Sequence, residues 1–128
     1  MSDQSEAKTE AGKQPEIKTE ELILVIDSIK WEQHHRSSYN GTTFQLFITE
    51  RERLEESPGI FGEPAEYFAS TEINGWDIYL HDTIPLEDRK RILFHEILEV
   101  NLLEQGFDRN HAHKLTLVEE EKVFGKRK

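Results

Sequence analysis

The stretch LEDRKRILFHEILEVNLLEQ, residues 86–105, decides how this chain is read. Pro85 stands just before it, where an opening helical turn tolerates proline, and Gly106 follows it. The spacing predicts one helix from about Leu86 to Gln105, with Gly106 as its C-terminal cap and Phe107 packing back on the last turn. On a helical wheel with His95 at zero, Glu99 falls at about +40°, Ile92 at about +60°, Leu102 at about −20° and Leu98 at about −60°. The opposite side carries Leu93, Ile97 and Val100. A helix apolar nearly all round is expected to be central. His95 and Glu99 lie inside its apolar stripe. A carboxylate there is rarely buried unless it is paired with a cation, coordinated, or set on a groove rim open to water.

Downstream, Asp108 is placed to N-cap a second helix that ends near Phe124, where Gly125 stops it. About two residues around Gly106 join the helices, so the two should fold back as neighbours. The second helix has one stripe of His113, Leu117, Glu120 and Phe124 and another of His111, Leu115 and Val118. Only one can face the first helix squarely. By spacing alone, either His111 or His113 can turn inward.

Upstream, residues 1 to about 20 hold almost no bulky apolar side chain and are expected to be a disordered tail, with a single domain over residues 21–128. The run Leu22 to Trp31 fits two patterns. Leu22, Val25, Ile26 and Ile29 suit a helical stripe, while Ile29 and Trp31 alternate as in a strand; we read a strand. Asn40-Gly41 and Asn74-Gly75 favour tight hairpin turns. The first precedes a strand over Thr42 to Thr49, and the second joins Tyr67–Ile73 to Trp76–His81. Ser57-Pro58-Gly59 and Gly62-Glu63-Pro64 mark a loop between the hairpins. Trp31, Trp76, Phe44, Phe47 and Phe94 read as core. His34-His35 reads as a solvated turn or strand end, and Glu50-Arg51-Glu52-Arg53 as solvated charge. The fold class is α+β: a small, mostly antiparallel sheet followed by two helices.

The chain has 128 residues, enough for one modest core, and a net charge of −10. That charge argues against nucleic acid or an anionic membrane as partner. No apolar run reaches the length of a membrane span and no secretory signal is evident, so a cytoplasmic location is expected. The oligomeric state is not encoded in any feature of the sequence. Cysteine is absent, so a transition metal would have to be held by histidine and carboxylate.

His95-Glu96-Ile97-Leu98-Glu99 puts a histidine and a carboxylate one turn apart on one helical face. With six histidines and twenty glutamates in the chain, the His-Glu-x-x-Glu motif arises by chance roughly once in seven such sequences, so context has to support it. The strand–turn–helix order of residues 76–99 resembles the strand and active helix of the zincin metallopeptidases of the ImmA/IrrE and SprT-like groups, which carry histidine in place of Glu99. Residues 95–124 are similar to small bacterial, archaeal and phage proteins with a His-Glu-x-x-Glu helix, a glycine, an Ala-His pair and a later glutamate. Here these are His95-Glu96-x-x-Glu99, Gly106, Ala112-His113 and Glu120. The resemblance covers about the last fifty residues.

The resemblance implies a minimal zincin whose metal ligands are His95, Glu99 and His113, leaving His111 at the surface. Two imidazoles and one carboxylate form one of the catalytic zinc ligand sets, with a fourth position for water. Glu120 would be a fourth ligand or an acceptor orienting the His113 ring. Glu96 would be the general base for a zinc-bound water, and His81 is a candidate oxyanion stabiliser. Manganese, iron or cobalt would also suit this donor set. The expected function is a zinc-dependent hydrolase acting on a peptide or protein. The alternative is a metal-stabilised or metal-free binding module without turnover, docking an extended peptide by strand addition.

Overall fold

The computed structural model describes residues 14–31, 34–49 and 65–126. In chain order the elements are helix α1 (Thr19–Asp27), strands β1 (His34–Tyr39), β2 (Thr42–Thr49), β3 (Ala65–Ala69) and β4 (Trp76–His81), and helices α2 (Leu86–Glu104) and α3 (Arg109–Phe124). The four strands form one sheet in the order β1-β2-β4-β3. Its outer pairs are antiparallel and the central β2–β4 pair is parallel. The α+β reading holds: a small, mostly antiparallel sheet followed by two C-terminal helices. No helix among the described residues is long and apolar enough to cross a membrane.

Residues 22–27, read as the start of a strand, are helical instead. The helical stripe wins because it has somewhere to go: Leu22 and Ile26, with Ile29 just past the helix end, are buried in the common core. The helix also begins inside the segment expected to be a tail. Ile17 packs on the core, and the Glu16 amide donates to Gln105 Oε1 at 2.9 Å.

The first Asn-Gly pair makes the expected two-residue hairpin between β1 and β2, with Asn40 at φ 48° and Gly41 at φ 84°. The second does not. β3 ends at Ala69, and residues 70–75 form a six-residue loop before β4. Gly75 serves another purpose: a Cβ there would lie 2.1 Å from the Thr43 carbonyl oxygen, so its missing side chain lets the loop pass against β2. The expected loop around residues 57–64 and the charged run at residues 50–53 fall outside the described residues.

α2 runs where its all-round apolar surface requires, with one side on the sheet and another under α3. Leu93, Phe94, Ile97, Leu98 and Leu102 are fully buried with Phe44, Leu46, Ile78 and Leu80 of the sheet. Trp31 and Trp76 pack partly buried at the margin of this core. Phe47 departs from the core reading: it lies on the far face of the sheet, stacked between His34 and Tyr79. His34 is accordingly a strand residue in contact with an aromatic ring.

The end of α2 is a Schellman motif, with the Gly106 amide donating to Leu103 O and the Phe107 amide to Leu102 O. Gly106 has φ 103° and Phe107 is buried. Asp108 then caps α3 by accepting from the His111 amide at 2.8 Å. These caps fix the reversal that lays α3 along α2. Asn101 couples α2 to the β1–β2 turn, donating to Thr42 Oγ1 at 2.8 Å and to Asn40 O at 3.2 Å. Glu104 extends that tie, accepting from Thr42 Oγ1 at 2.7 Å and from Trp76 Nε1 at 2.8 Å.

Candidate metal centre

Helical spacing sets His95 and Glu99 one turn apart on α2, and the tight α2–α3 reversal delivers His113 opposite them. His95 Nε2 lies 3.1 Å from Glu99 Oε1, and His113 Nδ1 lies 3.0 Å from the same oxygen. One donor atom from each of the three residues falls within 4.8 Å of the others, the geometry of a possible metal site. Tetrahedral zinc with bonds of about 2.0–2.2 Å separates neighbouring ligand atoms by about 3.4 Å. The two separations from Glu99 Oε1 come within a few tenths of an ångström of that. The centre is closed on one side and open on the other: the His95 and Glu99 side chains are 11% and 5% exposed, and that of His113 is 50% exposed.

The other face of the His95 ring is held from α3. Its Nδ1 lies 2.8 Å from Glu120 Oε1, and the second Glu120 oxygen accepts from Arg91 Nε. Glu120 therefore stands behind His95, where the sequence reading allowed a ligand or a partner of the His113 ring. The reason is the helix crossing: Glu120 is fully buried against α2, two turns beyond His113, and meets His95 first. Arg91 also donates to Gly125 O at 2.8 Å, which pins the end of α3 and fixes the cation that neutralises Glu120. Glu120 thus places an acceptor oxygen at Nδ1 of His95, and Nε2 is left facing Glu99 and the centre.

Tyr67 of β3 completes the cluster, its hydroxyl donating to Glu99 Oε2 at 2.5 Å. Burial would raise the Glu99 carboxyl, but the hydrogen bonds from His95, Tyr67 and His113 outweigh it and hold the group down to about 2. Burial likewise favours neutral His95, yet its hydrogen bonds to Glu99 and Glu120 prevail and its pKa lies above the ordinary 6.5. Tyr67 is pushed well above 10, by burial first and then by Glu99. Glu96 makes a smaller contribution to the upward shifts of both Tyr67 and His95, so its charge is felt at both rings. With Glu120 balanced by Arg91, the carboxylate charge left at Glu99 would be met by a protonated His95 or by a divalent cation held at this cluster.

The structure thus brings together His95, Glu99 and His113, with Glu120 as a support. His111 turns instead onto Phe107, ring centroids 5.1 Å apart. His81 is buried away from the cluster, its Nδ1 engaged by the Thr83 amide at 3.1 Å and hydroxyl at 2.6 Å. Two members had no place in the sequence reading. Arg91 had a signal, since it lies four residues before His95 on the same helical face. Tyr67 had none, because its approach depends on how the sheet is laid against α2. No protein-family model, curated protein or solved structure matches this chain.

Proposed function

We propose that this chain is a metal-dependent hydrolase of the minimal zincin type, with zinc as its preferred ion and a peptide or protein as substrate. The convergence of His95, Glu99 and His113 from two helices carries the reading. These three side chains would hold a divalent ion, which would supply Lewis acidity and lower the pKa of water at the site towards about 7. The chain's own residues supply the rest. Glu96, one residue on from His95 and close enough for its charge to be felt there, would be the base that takes a proton from water and returns it to the leaving amine. Glu120 and Arg91 hold the His95 ring. Manganese, iron or cobalt would be accepted by the same donors.

The edge position of β3 supports a peptide as substrate. Tyr67 reaches from that strand to Glu99, and an extended peptide can pair with such an edge through main-chain hydrogen bonds. The net charge of −10 speaks against nucleic acid, and a cytoplasmic location belongs to the same reading.

The test is metal analysis of the purified protein together with casein hydrolysis by the parent and by Glu96→Gln. About one equivalent of zinc in both proteins, with hydrolysis lost in the variant, supports the proposal. Unchanged hydrolysis in the variant removes the base assignment. Bound zinc without hydrolysis by either protein favours a metal-stabilised binding module. A melting temperature indifferent to chelator and to added zinc favours a metal-free one.

A further inference from the structure

We infer that Tyr67 is a positioning residue that restricts Glu99 to a single donor oxygen; the inference rests on the metal-site reading above. A carboxylate can offer a metal one oxygen or two, and its hydrogen-bond partners select between them. The two oxygens of Glu99 are already divided. Oε1 faces Nε2 of His95 and Nδ1 of His113, and Oε2 is taken by the Tyr67 hydroxyl.

The phenol is held in place from several directions. Tyr67 sits opposite Ile78 in the β3–β4 register, on the sheet face that α2 covers. Its ring meets Trp76 edge-on, centroids 5.7 Å apart at 80°. The Arg109 guanidinium lies 5.2 Å from its centroid. Trp76 is anchored in turn by its indole hydrogen bond to Glu104. Glu99 is 4% exposed, so water reaches its second oxygen poorly and Tyr67 is the partner that occupies it. Without that hydroxyl, Oε2 has two ways to be satisfied, and turning onto the metal is one. A second Glu99 oxygen would add a fifth donor to a centre of three protein donors and a water. Tyr67 thereby keeps the centre at three protein donors.

The experiment compares cobalt(II) binding to the full-length apoprotein and to Tyr67→Phe by visible absorption, with bound metal counted in parallel. Four-coordinate cobalt absorbs strongly, and added oxygen ligands weaken the band. With one cobalt bound in each protein, the variant's band should fall by about half or more as coordination expands towards five. An unchanged spectrum with cobalt bound overturns the inference and leaves the metal site standing. A parent protein that binds no cobalt overturns the site itself, and the inference with it. X-ray absorption of the zinc-loaded parent requires no folded variant: a single short carboxylate oxygen supports the inference, and two equal ones overturn it.

Discussion

Glu120 Oε1 lies 2.8 Å from Nδ1 of His95, across 25 residues of sequence and between two helices. This contact gives a histidine of a common helical motif a fixed orientation. Partners of this kind behind a metal-binding histidine change affinity by about 10–100-fold when altered. Glu120→Gln should therefore weaken zinc binding by about that factor, read by competition with a chromophoric chelator. Arg91 would lose the carboxylate that balances it, so a modest fall in melting temperature is also expected.

His113 and His111 stand two residues apart on α3 but face different neighbours, Glu99 for one and Phe107 for the other. His113→Ala should lower zinc affinity by more than the roughly hundredfold typical of a supporting residue. His111→Ala should leave affinity unchanged. Equal losses in the two variants would contradict the placement of the site.

In the metal-free protein, His95 and Glu99 give stability opposite pH dependences. The folded pKa of His95 is raised above 6.5, so its contribution is complete below that value and is lost as pH rises through the folded value. Glu99 is lowered from 4.5 to about 2, so its contribution is complete above 4.5 and is lost as pH falls towards 2. With chelator present, the melting temperature should be highest between these limits and decline on the alkaline side. Zinc should abolish or reverse that decline, because it needs His95 Nε2 free of its proton. Melting curves of the chelated protein from pH 2 to 9, with zinc added in a parallel series from pH 6 to 9, measure both arms.

Zinc that binds only the folded chain should raise stability by about 4 kcal/mol at a thousandfold excess over its Kd. The increment should disappear on chelation and grow with the logarithm of free zinc. A calorimetric series over zinc concentration checks the slope.

Gly75→Ala tests the contact between the β3–β4 loop and β2 without touching the site. Its new methyl would meet the Thr43 carbonyl oxygen at 2.1 Å, so the backbone must move apart. A loss of about 1–3 kcal/mol in urea unfolding is expected, the usual range for forcing an extra group into a packed position.

The helix ends were legible because they are local chemistry. Pro85, Gly106, Asp108 and Gly125 mark starts and stops through backbone angles and hydrogen bonds set within a few residues. The first hairpin was legible for the same reason, and so was the pairing of His95 with Glu99, which follows from the helical repeat. The second Asn-Gly pair shows the limit of such signals. Asn74 is not among the residues with positive φ, and Gly75 is required by a carbonyl from another strand. Residues 22–31 fit two periods equally well, and the available core surface selected the helix.

What the sequence determined by itself is a chain of caps, turns and periodic faces, since each is settled by neighbours within one or two turns. The tertiary structure alone decided that α1 is a helix, that Glu120 stands behind His95, and that Tyr67 reaches Glu99 from the sheet; helical spacing left His111 and His113 open, and the helix crossing turned His113, the one the resemblance favoured, onto Glu99. Those outcomes depend on the angle between α2 and α3 and on the register of β3 against β4. Both come from packing the whole core at once, and no short segment carries that information.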